Sequence, residues 1–166
     1  MAIEDEVRQA YERYVALREQ VRQGEIAWSA IAEEMFTDDA VFIDPAWGRV
    51  EGRKAIAEFM DESMAGLDDW VFPEGWTMAD GKRVVSFWWN RLAGERADGS
   101  PFQAPGVSIL HYAGDGRFDY ELDILNMTEV GEILRDSGWK PSGEFNMPPR
   151  EPDRNVTPPP GWDGGP

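Results

Sequence analysis

Residues 36–60, FTDDAVFIDPAWGRVEGRKAIAEFM, decide the fold. The run 40–43 is apolar, β-branched and aromatic, too short for a helix, and closed by Asp44-Pro45, where proline holds the preceding residue extended; it predicts a strand. Residues 48–52 predict a small return strand, and Ile56, Phe59, Met60 and Met64 carry helical spacing across 53–64, with Gly66 as the stop. Upstream, Val7, Ala10, Tyr11, Tyr14, Leu17 and Val21 recur at steps of three and four, which predicts a helix from Ile3 that stops at Gly24. Glu4, Asp5 and Glu6 suit its positive end. A second helical pattern over 26–36 ends at the Thr37-Asp38-Asp39 turn. Downstream the period drops from about 3.6 to 2, as expected where a sheet begins. Strands are predicted over 70–79, 83–93, 102–112 and 117–125, and the turns Asp80-Gly81, Asp98-Gly99 and Asp115-Gly116 join them into an antiparallel meander. A last helix over 128–137 stops at Gly138. Helices first and sheet second make the class α+β.

The chain has 166 residues, which suits one domain, 1–140, with a proline-rich tail over 141–166. With 42% hydrophobic residues it can bury a sizeable core. Sixteen Lys+Arg against 32 Asp+Glu leave a net charge of -16, which repels nucleic acid and anionic lipid. Cysteine is absent and His111 is the single histidine, so disulfides, thiolate chemistry and multi-histidine metal sites are excluded. The N-terminus carries acid where a secretion signal needs base, no apolar run approaches the length of a membrane helix, and the expected compartment is the cytoplasm. No phosphate loop or nucleotide fingerprint occurs, so no cofactor is implied. The tail is expected to be solvated and partly polyproline; the alternative is an arm across the domain or a partner subunit, anchored by Phe145 or Trp162.

Several side chains could carry chemistry. Asp44 ends an apolar strand, where partial desolvation would raise its pKa toward that of a useful general base; equally, it could simply start a turn ahead of proline. Tyr14 lies on the apolar face of the first helix, so its hydroxyl must find a buried partner or a ligand. Asp119, Glu121 and Asp123 alternate with Phe118, Tyr120, Leu122 and Ile124, which predicts an acidic solvent face; a bulge would instead turn Asp123 into a cavity. The eight tryptophans either fill the space between sheet and helices or wall a pocket for a flat apolar ligand. Arg96-Ala97-Asp98 falls in a hairpin turn and is expected to be solvated.

The helix and strand order, with F-x-D-D-A-x-x-x-D-P followed by G-R-x-A-I, resembles the nuclear transport factor 2 superfamily, and within it the SnoaL-like polyketide cyclases and their ketosteroid isomerase relatives. The resemblance extends to about residue 138. It implies a cone-shaped roll, with helices held in a strongly curved, mainly antiparallel sheet around a deep apolar pocket, commonly as a homodimer. It places Asp44 at the isomerase's general base, Tyr14 at the tyrosine that hydrogen-bonds the enolate oxygen, and Ser108 where the isomerase has a protonated carboxylic acid. Asp123 matches the acidic residue of the cyclases' last strand, with Asn126 its neighbour. The function expected from this resemblance is cofactor-independent proton abstraction next to a carbonyl of a small apolar ring compound, by an isomerase or an aldol-type cyclase. Asp44, Tyr14 and Asp123 are the expected catalytic groups. Trp28, Trp47, Phe59, Trp88, Leu110 and Tyr112 would line the pocket, with Ser108 as second donor and Asn90 orienting a substrate oxygen. A non-catalytic protein that binds a hydrophobic ligand or partner is the alternative, and an epoxide hydrolase the further one, since the same fold hosts all three.

Overall fold

The computed structural model describes residues 1–160 and 162. Helices α1 (Ile3–Arg22) and α2 (Trp28–Met35) precede strands β1 (Phe36–Asp44) and β2 (Gly48–Glu51), helix α3 (Arg53–Met64) follows, and β3 (Glu74–Asp80), β4 (Arg83–Glu95), β5 (Pro101–Gly114) and β6 (Arg117–Leu125) lead to α4 (Met127–Ser137). The strands form one sheet in the order β2-β1-β6-β5-β4-β3. Its neighbours are antiparallel except β1 and β6, which run parallel. That parallel pair follows from topology, since strands so far apart in sequence need no hairpin between them. The α+β architecture, with α1, α2 and α3 held against the concave face of a curved, unclosed sheet, is the one expected.

Two boundaries move. Thr37, Asp38 and Asp39 lie inside β1, where the register with β6 slips between Phe36 and Val41, and not in a turn. The third predicted strand begins only at Glu74; residues 70–73 touch the sheet through the single bridge of Val71 to Arg91. The main core gathers Val7, Tyr14, Ile31, Met35, Phe36 and Phe118 between helices and sheet, and α4 closes a smaller one with Leu92, Ala104, Val130 and Ile133. Asn126 caps α4, accepting a hydrogen bond from the Glu129 N–H at 3.4 Å. Among the described residues no helix is long and apolar enough to cross a membrane.

The tail does not behave as a solvated segment. Although most of its side chains are exposed, its described backbone is held at several points between Ser142 and Thr157. Ser142 N–H donates to Gly66 O at 3.0 Å, and Asn146 Nδ2 to Glu62 O at 3.0 Å. Arg49 N–H donates to Asp153 O at 2.8 Å, and the Arg49 guanidinium bonds the carbonyls of Asn155 and Thr157. Tyr120 Oη donates to Val156 O at 2.7 Å. Trp162 ends the arm over His111 and Tyr120, with ring centroids 5.4 and 5.0 Å away. Gly48 takes φ +85°, and a Cβ there would stand 2.6 Å from the Asp153 carbonyl oxygen, so only glycine admits the strap.

Candidate active site

The register of β5 with β6 carries the feature on which the site depends. His111 faces Tyr120 while Tyr112 faces Phe118, so Asp119 is one extra residue on β6. Side chains alternate with period two, so one extra residue reverses the face of everything beyond it. Phe118 stays in the main core. Asp119 turns outward to His111, Oδ1 to Nδ1 at 2.7 Å. Tyr120 and Leu122 then pack outside with Val41 and Ile43, and Ile124 is exposed. Glu121 and Asp123 therefore face inward, and the expected acidic solvent face holds for Asp119 alone.

Hydrogen bonds hold the inward groups. Trp88 Nε1–H donates to Ser108 Oγ at 2.9 Å, Ser108 Oγ–H to Asp123 Oδ1 at 2.6 Å, and Tyr14 Oη–H to Glu121 Oε2 at 2.9 Å. Glu121 and Asp123 stand two residues apart on the inward face of β6. Burial, with the Asp123 charge beside it, holds Glu121 well above the usual carboxylate range. Burial also pushes Asp123 up, to about 6, with the Ser108 bond opposing and the charge of Asp44 adding to the rise. Burial thus favours the protonated form of each of these two carboxyls.

Asp44 completes the cluster. It lies on β1 one position past the pairing of Ile43 with Leu122, beside Asp123 on the inner face. Its Oδ1 accepts the N–H groups of Ala46 and Trp47, each at 2.8 Å. Burial raises its pKa against those two bonds. The turn and the desolvated carboxylate are therefore the same residue, and among the described residues no hydrogen bond occupies Oδ2.

A cavity of about 820 Å³ opens among α1, α2, the end of α3 and residues 65–74. Arg18, Trp28, Trp70, Phe72 and Glu74 are on its wall. Arg18 pairs with Glu74, donates to Tyr11 Oη at 3.2 Å and lies 5.2 Å from the Tyr14 ring centroid. Glu74 also accepts from Ser86 Oγ at 2.6 Å. Arg18 thus stands on the cavity wall, and its charge lowers the pKa of Glu121. Trp28, Phe72 and Trp88 form an edge-to-face ladder, with centroids 6.1 and 5.7 Å apart, from the cavity wall to Ser108.

Of the residues expected to line a pocket, Trp28 is on this wall. Phe59, Leu110 and Tyr112 lie in the main core, with Trp47 against Phe59 at 6.1 Å. The Tyr112 hydroxyl accepts from Gly116 N–H at 3.0 Å. Trp88, Ser108 and Asn90 are buried on the inner sheet face. Arg96 pairs with Asp136 at the surface, while Asp98 caps its own turn through Ser100. Glu121, Arg18 and Glu74 were not singled out from the sequence. Arg18 had a signal, because it continues the stripe Tyr11, Tyr14 on α1; Glu121 shares its face of β6 with Asp123, so the bulge that turns one inward turns both. Among the described residues no group of three or more ligating side chains could hold a metal ion.

Trp88 depends on Gly106, where a Cβ would meet the Trp88 ring at 2.7 Å. Gly106→Ala is expected to destabilise the protein by about 1–3 kcal/mol through overpacking, read as a lower midpoint in urea.

Comparison with known proteins follows this geometry. A family profile described as the SnoaL-like domain matches residues 7–120. No curated protein matches the chain. A SnoaL-like polyketide cyclase candidate from Jannaschia sp. CCS1 superposes with TM-score 0.61 at 16% identity, over 84% of this chain and 97% of that one. An LEH-like epoxide hydrolase of M. tuberculosis gives 0.61 at 16% identity, over 81% and 89%. The epoxide hydrolase/cyclase-like enzyme SalBIII, tied to pyran ring formation in salinomycin, gives 0.58 at 22% identity, over 78% and 97%. At these identities the likeness shows the fold.

Proposed function

The chain belongs to the SnoaL-like domain family, and on that premise we propose that it is a cofactor-independent enzyme that removes a proton next to the carbonyl of a small apolar ring compound. The observation that supports this is the inward carboxyl cluster, buried Glu121 and half-buried Asp123 on β6 with Asp44 beside Asp123. Environments that push neighbouring carboxyl pKa values apart assign acid and base roles. In this reading Asp44 Oδ2 takes the proton and the C–H electron pair moves onto the carbonyl oxygen. A proton held on the carboxyl of Glu121 or Asp123 is then offered to that oxygen. Tyr14 positions Glu121, and Ser108 positions Asp123. Return of the proton to another ring carbon completes an isomerisation; attack of the enolate carbon on a second carbonyl completes an aldol-type closure.

The test is exchange of α-protons of a panel of fused-ring ketones in D2O. The native protein is expected to catalyse exchange, and Asp44→Asn to slow it by at least about a hundredfold. Saturable binding of phenolic polycycles without exchange by the native protein would instead make this a binding protein. A second reading, epoxide opening, is favoured by Arg18, which pairs with Glu74 and whose charge acts on Glu121. Oxygen-18 from labelled water would then appear in a diol product, and its absence ends that reading.

A further inference from the structure

We infer that the C-terminal arm selects the register of β6, with Trp162 and His111 as positioning residues that keep Glu121 and Asp123 on the inner face. Its bearing on catalysis rests on the reading of those carboxyls as acid and base; the register itself does not.

Strand β6 could meet β5 in two ways. Without the extra residue Phe118 would still face Tyr112, but Asp119 would face His111 and Leu122 would face Ser108. Alternation would then turn Tyr120, Leu122 and Ile124 inward and leave Glu121 and Asp123 in water, where carboxylates keep their hydration. The observed register instead buries Glu121 and exposes Ile124. Both changes are unfavourable, so contacts outside the sheet must offset them.

The arm makes those contacts. Tyr120 and Leu122, turned outward beyond the bulge, share an outer cluster with Val41, Ile43 and Trp162. The Trp162 ring centroid stands 5.0 Å from that of Tyr120 and 5.4 Å from that of His111. The guanidinium carbon of Arg83, opposite His111 on β4, lies 5.8 Å from the same ring. The Tyr120 hydroxyl donates to Val156 O at 2.7 Å. His111, buried against Trp162, holds Asp119 itself through the 2.7 Å contact of Nδ1 with Oδ1. The arm therefore reaches the bulge twice, through Tyr120 directly and through His111 to Asp119. In the other register the Tyr120 ring would point inward, and Trp162 and Val156 would lose it.

Cross-strand NOEs and a 13C titration of the side-chain carboxyls, both on the full chain, test this without any turnover. The native protein is expected to show backbone NOEs between Ser108 and Asp123, and an Asp123 carboxyl that titrates near 6. Asp123 is faced there by Ser108 from β5, Asp44 from β1, Glu121 on its own strand, and Tyr14 and Arg18 from α1. Trp162→Ala should replace those NOEs by NOEs of Ser108 with Leu122 and move the Asp123 midpoint toward 3.8. Trp162→Phe keeps a ring on Tyr120 and His111 and should leave both readouts as in the native protein. Deletion of Asp119 separates register from stability. It makes a continuous ladder in which Tyr120 still faces His111 and both carboxyls still point inward, so Trp162→Ala should change neither readout in that background. Should Trp162→Ala alone unfold the chain, the same deletion should restore the fold and the NOEs. Native NOEs and a midpoint near 6 in Trp162→Ala overturn the inference. So does any loss that persists once Asp119 is deleted.

Discussion

Asp123→Asn is expected to slow α-proton exchange on fused-ring ketones by at least about a hundredfold without unfolding the protein. The amide keeps the shape and can still accept from Ser108 Oγ–H, but it has no carboxyl to share a proton with the substrate oxygen. Burial has placed the Asp123 carboxyl at about 6, so native stability should also depend on pH up to that value. The folded pKa is raised from 3.8, so the folded chain binds this proton more tightly than the unfolded chain. The resulting stability is complete below the unfolded value and is lost as pH climbs to about 6. Asparagine carries no such loss, so the variant should gain on the native protein across that interval and hold the gain at neutral pH. Paired measurements of exchange rate and Tm against pH check both halves. A variant that exchanges at the native rate would remove Asp123 from the chemistry.

Truncation after Ser142 is expected to cost at least about 2 kcal/mol of stability, measured by urea denaturation. The sum comes from hydrogen bonds worth about 0.5–1.5 kcal/mol each, those of Tyr120 to Val156 and of Arg49 to Asp153, Asn155 and Thr157. Uncovering Tyr120 and its neighbours Val41, Ile43 and Leu122, which Trp162 packs against, adds to it. Gly48→Ala should reproduce much of the loss in the full chain, because its methyl group would collide with the strap's backbone at Asp153. Unchanged midpoints in both would return the tail to solvent.

The two effects differ in how far the sequence foretold them. Asp44 was legible because a proline, a short β-branched run and an aspartate stand in direct succession, and local chemistry alone demands a strand end there. Tyr14 was legible from helical spacing, and Arg18 could have been read from the same stripe. The tail was misjudged because prolines reveal only that a segment is neither helix nor central strand; whether it is solvated depends on what surface it meets. That surface, the strand pair carrying Gly48, Arg49 and Tyr120, comes from distant parts of the chain.

By itself, then, the sequence determined the elements and their class: apolar periodicity and turn residues act over a few positions, and each is decided by its neighbours. It also determined that carboxyls would dominate any chemistry, since cysteine is absent and histidine single. Which carboxyls those are was decided only by the tertiary structure. One extra residue, Asp119, reverses the face of β6, and the pairing that forces it out belongs to β5, not to the local sequence. The elevated pKa values of Glu121 and Asp123 follow from that reversal, because desolvation is a property of the surroundings and not of the residue.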